Sequence, residues 1–69
     1  MANKTWFRCE CADPKGRFIL VYVMTDDRGR ARRAARKHFP TLKVGSCYET
    51  PTLVRGTDTA GVKWLDSDA

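Results

Sequence analysis

Few side chains in this sequence could do chemistry. They are three cysteines (Cys9, Cys11, Cys47), one histidine (His38), the pair Asp26-Asp27 and a dense group of arginines. Thiols, imidazole and carboxylate are the ligand types of a zinc site, but Cys-x-Cys is not the usual clamp with a two-residue gap. Alternation over 42–48 turns Leu42 and Val44 inward and Cys47 outward, away from the other two thiols, so no metal or cofactor is expected. Cys9 and Cys11 lie two apart on one strand and cannot staple a loop. An odd number of cysteines also argues against a disulfide framework, so all three are expected as free thiols in a reducing cytoplasm. Asp26 and Asp27 suit the start of a helix better than acid–base work. One histidine makes no Ser/His/Asp set, and the five glycines are too scattered for a phosphate loop. No catalytic residue is assigned, and the chain is expected not to be an enzyme.

The remaining chemistry is charge. Arg28, Arg30, Arg32, Arg33, Arg36 and Lys37 fall within ten residues. With Asp26 and Asp27 they give segment 26–39 a net +4 of the chain's +5. No acid interrupts 28–37. Arginine predominates, and its planar fork favours phosphate or carboxylate. The expected partner is therefore anionic, engaged by Arg30, Arg32, Arg33, Arg36 and Lys37. A solvated face that only aids solubility is the plainer alternative.

The elements that must present these residues follow from spacing. Thr25 is placed as the helix N-cap, with Asp26 and Asp27 in the first turn at the positive end of the dipole; Pro40 stops the helix. At about 100° per residue, Ala31, Ala34, Ala35 and His38 share one side and the arginines the other. His38 is read as a core-margin residue. An alanine stripe lets the helix lie close on a sheet, and it is too weakly apolar for membrane binding. Residues 5–11 and 17–24 read as strands joined by Asp13-Pro14-Lys15-Gly16, a strong hairpin turn. Residues 42–48 alternate again. Thr52–Arg55 and Val62–Leu65 are expected to form a second hairpin, and 66–69 to fray. The fold class is α+β: one domain over 1–69, with one helix on a largely antiparallel sheet of four or five strands.

The turn sets Asp13 opposite Arg17. Phe7, Cys9 and Cys11 then share a face with Ile19, Val21 and Val23, while Trp6, Arg8 and Glu10 share the other with Phe18, Leu20, Tyr22 and Met24. One helix covers one face only. The second is expected to make contact through Trp6, Arg8, Phe18, Leu20 and Tyr22 with a second copy as a homodimer, or with a partner. Its aromatic-plus-arginine composition could also stack bases. Alternatively, the C-terminal strands and Trp64 fold over it.

At 69 residues the chain has room for one small core and no large enclosed cleft. No apolar run approaches the roughly 20 residues of a membrane span, and Met-Ala-Asn-Lys-Thr-Trp lacks the apolar centre of an export signal. A cytoplasmic location is expected.

The apolar strand Ile19–Met24, the helix start Thr25-Asp26-Asp27, the Arg/Ala-rich helix ending near Pro40 and the late strand Val62-Lys63-Trp64-Leu65 form a layout spanning most of the chain. It is similar to that of small phage-encoded inhibitors, especially anti-CRISPR proteins with a β-β-α-β-β arrangement. The resemblance is one of pattern and size, without a specific motif, and no functional residue is carried over from it. Many such inhibitors are acidic DNA mimics, whereas this chain is basic. The resemblance implies an inhibitor in the host cytoplasm whose target is a nucleic-acid-handling host complex. A nucleic-acid-binding module for DNA or RNA is the alternative.

Overall fold

The computed structural model describes residues 3–69. The element order is β1 (Thr5–Ala12), β2 (Phe18–Thr25), α1 (Arg28–His38), β3 (Lys43–Glu49) and β4 (Val62–Leu65). The strands form one mixed sheet in the order β3-β1-β2-β4, with α1 packed on one face. This is the expected α+β domain in its ββαββ order.

The turn chemistry sets the β1–β2 register. Asp13 N–H donates to the Arg17 carbonyl, and Gly16 N–H donates to the Asp13 carbonyl. Gly16 has φ +82°, the left-handed conformation that glycine adopts without a Cβ penalty. The Asp13 carboxylate accepts from Lys15 N–H and Arg17 N–H and pairs with the Arg17 guanidinium. Those bonds, the backbone N–H of Arg17 first, hold Asp13 below the usual carboxylate range. The register runs back from there through Cys11↔Ile19, Cys9↔Val21 and Phe7↔Val23, as expected.

The helix-side core consists of Phe7, Cys9, Cys11, Ile19, Val21, Val23, Val44 and Cys47 beneath the stripe Ala31, Ala34 and Ala35. The helix begins two residues later than expected. Asp27 is the N-cap, its carboxylate accepting from Arg30 N–H, and neither aspartate lies in the first turn. Thr25 instead ends β2, fully buried, and its hydroxyl donates to Asp68. Gly29 fits this start, because a Cβ there would sit 3.0 Å from the capping oxygen of Asp27.

Further expectations are corrected. Cys47 points inward. The β1–β3 register shifts between Cys9↔Cys47 and Cys11↔Val44, so two residues, Gly45 and Ser46, stand opposite Glu10. This bulge resets the alternation, and Val44 and Cys47, three apart, both reach the core. Gly45 allows the close approach: a Cβ there would meet the Glu10 carbonyl oxygen at 2.9 Å.

Thr52–Arg55 forms no strand, and the second hairpin is absent. Val62–Leu65 pairs with β2 in parallel. The chain leaves β3 at one sheet edge and reaches the other through residues 50–61, and so cannot make a tight antiparallel turn.

The tail, expected to fray, makes side-chain contacts with the rest of the domain. Asp68 binds Thr25 and Arg30, His38 Nε2 lies 2.7 Å from the Ala69 carbonyl oxygen, and Asp66 pairs with Arg55. His38 is thereby exposed at the helix end rather than at the core margin.

Candidate anionic-partner face and the opposite sheet face

The arginine face follows from the alanine stripe. With Ala31, Ala34 and Ala35 against the sheet, every basic residue of α1 is exposed. Arg30 is partly neutralised, lying 3.8 Å from Asp26 and 3.6 Å from Asp68. Among the described residues, Arg28, Arg32, Arg33, Arg36 and Lys37 have no acidic partner within 4.0 Å. Arg28, Arg32 and Arg36 recur every fourth residue and form one line, about 6 Å per step. Sequence reasoning included Arg30 and left out Arg28. The i, i+4, i+8 spacing was the signal that could have added Arg28. The tail contact that removes Arg30 joins residues far apart in sequence and gave no local signal.

Like charges at i, i+4 repel, and Arg36, Lys37 and His38 occupy the last turn, where the helix dipole favours cations. The helix therefore carries its cations at some electrostatic cost along its length and some relief at its C-terminus. An anion laid along the line would relieve the rest.

The opposite face carries the expected residues, but part of it is closed. Trp64, level with Tyr22 in the β2–β4 register, stacks on it with ring centroids 4.4 Å apart, and Trp6 meets Trp64 edge-on at 5.0 Å. Gly56, from the 50–61 connection, lies against the Trp64 ring so tightly that a Cβ would come within 2.9 Å. Thr50 fastens the start of that connection by donating its N–H and hydroxyl to the Trp6 carbonyl. Trp6 and Trp64 are buried, forming a second small core.

Of the residues expected to make contact here, Trp6 is enclosed. Arg8, Leu20 and Tyr22 are half-buried, and Phe18 is 63% exposed at the hairpin end. Arg8 lies over the Tyr48 ring, 5.5 Å from its centroid, and Tyr48 donates to Glu10. Tyr22 and Trp64 stand ring against ring, so each turns one face toward the other rather than outward.

No group of three or more His, Cys, Asp or Glu side chains among the described residues has metal-binding geometry. Two of the three thiols do meet: the Cys9 and Cys47 sulfurs are 2.7 Å apart. No helix is long and apolar enough to cross a membrane. No family model, curated protein or solved structure matches the chain.

Proposed function

We propose that the protein is a small non-enzymatic binding protein that acts as an inhibitor, pressing the arginine face of α1 against an acidic surface of a nucleic-acid-handling complex. The observation that supports this reading is the set of five exposed cations on one helix that have no acidic partner among the described residues: Arg28, Arg32, Arg33, Arg36 and Lys37. A face kept only for solubility gains nothing from leaving them unpaired, since mixed charges serve solubility equally well. A helix of 11 residues on a flat surface offers a short, rigid, convex contact, suited to an acidic groove on a protein. The cytoplasm, where such complexes work, is the proposed location.

The test is affinity capture with and without nuclease treatment, comparing the wild type with a variant carrying Arg32→Glu, Arg33→Glu, Arg36→Glu and Lys37→Glu. A partner protein captured in stoichiometric amount, resistant to nuclease and lost with the variant, is the expected result. Circular dichroism establishes that the variant is folded. Retention of the partner by the folded variant overturns the reading. Capture abolished by nuclease alone assigns the face to bare nucleic acid, whose binding would also fall steeply with salt.

A further inference from the structure

We propose that Cys9 and Cys47 form a peroxide-responsive dithiol, closing an intramolecular disulfide between β1 and β3 beneath the helix. The geometry carries this. The two residues are register partners, and their sulfurs are 2.7 Å apart, against a bonding length of about 2.05 Å. Thr50 N–H donates to the Trp6 carbonyl, so Trp6 and Thr50 are a hydrogen-bonded pair. Alternation then makes Cys9 and Cys47 a non-hydrogen-bonded pair, in which Cα atoms approach to roughly 4.5 Å. That separation is inside the range of about 4.4–6.8 Å found for disulfides. The bond closes without moving either strand.

The surroundings distinguish the sulfurs. Cys47 is held below the ordinary thiol range, first by its hydrogen bond with Cys9 and then, against the opposing effect of burial, by Arg32, Arg28 and Arg36 of α1. Cys9 is pushed up by the same hydrogen bond and by burial. Cys11 is pushed up to about 11 by burial. Cys47, on the edge strand and not fully enclosed, with the arginines of α1 as its charged neighbours, is assigned as the nucleophile, and the fully buried Cys9 as the resolving thiol. Cys11 faces Val44 rather than a sulfur across the strands, and its thiol donates to the Cys9 carbonyl oxygen.

The oxidant is a hydroperoxide. The Cys47 thiolate attacks one peroxide oxygen, the O–O bond breaks, and the departing oxygen takes a proton and leaves as water. Cys47 is then a sulfenic acid. The Cys9 sulfur attacks the Cys47 sulfur, the S–O bond breaks, and the hydroxyl leaves as a second water with the Cys9 proton. Two thiols have lost two electrons, and one hydrogen peroxide has become two waters. Cys47 lies on the edge strand and retains 5% exposure, whereas Cys9 is fully buried, so a small oxidant is expected to meet Cys47 first.

The experiment adds stoichiometric hydrogen peroxide to the whole reduced protein, then blocks free thiols and measures the intact mass and tryptic peptides. The expected product is monomeric, lighter by two hydrogens, with one free thiol, and restored by dithiothreitol. Cys9 and Cys11 share one tryptic peptide, residues 9–15, so Cys11→Ser settles the assignment: it is expected to crosslink to Cys47 like the wild type. Cys9→Ser is expected to stop at a sulfenic acid that dimedone traps. Circular dichroism of each variant before oxidation excludes reaction from an unfolded chain. Oxygen addition without a crosslink, a disulfide that needs Cys11, a disulfide between two molecules, or no reaction each overturns the proposal.

Discussion

Trp64 closes the sheet face that the helix leaves bare, stacking on Tyr22, meeting Trp6 edge-on and lying under Gly56. Truncating a buried tryptophan to alanine costs about 3–5 kcal/mol. A chain of this size has about that much stability in total, so Trp64→Ala is expected to be largely unfolded at 25 °C, with Trp64→Phe intermediate. Urea unfolding followed by circular dichroism measures both. Tyr22→Lys is expected to destabilise for the same reason, even in a monomer. A fully stable Trp64→Ala would mean that the second core contributes nothing. The aromatic residues on this face were legible as a group, because the Asp13-Pro14-Lys15-Gly16 turn fixes the register. That Trp64 would join them was one of two open alternatives. A four-residue strand shows its own alternation but not its partner. The inward turn of Cys47 was not legible at all, because the bulge opposite Glu10 depends on how β3 meets β1.

At the scale of elements, the helix was legible in its buried stripe and its stop but not in its first residue. Thr25, Asp26 and Asp27 are all good caps by type, and the requirement that Thr25 complete β2 decides among them. Asp27→Ala is expected to destabilise by about 1 kcal/mol through loss of the Arg30 N–H acceptor. Asp26→Ala should have a smaller effect, since Asp26 offers only a 3.8 Å contact to an exposed Arg30. Thermal melts of the pair measure the difference, and equal losses would place the cap elsewhere.

The tail is the second element decided by distant contacts. Asp68 is held below its usual range, first by the Thr25 hydroxyl. A carboxylate with a lowered folded pKa contributes stability above its unfolded value, and that stability is lost as pH falls through the folded one. The strap over Thr25 and Arg30 is therefore expected to be intact at pH 6 and to weaken progressively once pH falls below the ordinary carboxylate range of about 4. Urea midpoints of wild type and Asp68→Asn should differ at pH 6, and the difference should shrink steadily as pH is lowered below about 4. A difference that does not depend on pH would refute the ionised contact.

The whole molecule is electrically lopsided. Among the described residues, Arg28, Arg32, Arg36, Arg33 and Lys37 crowd one face without an acidic partner, while Asp13, Asp58, Asp66 and Asp68 pair with other arginines and Asp26 and Asp27 stand at the helix start. Each like-charge i, i+4 pair on a helix costs about 0.2–0.5 kcal/mol, and 28/32, 32/36 and 33/37 are three such pairs. Raising ionic strength from about 0.01 M to 0.15 M shortens the screening length from about 30 Å to 8 Å. Salt should therefore relieve the repulsion and raise the melting temperature by a few degrees, given about 4–8 °C per kcal/mol for a domain of this size. The exposed pairs Arg17–Asp13 and Arg55–Asp66 weaken under the same screening, but such pairs are worth little. The control is Arg32→Gln with Arg36→Gln, which removes two of the three repulsive pairs and should melt higher at low salt and respond less to added salt. An unchanged salt response would show that the face is not under electrostatic load. Binding of an anionic partner could then not be driven by relief of that load.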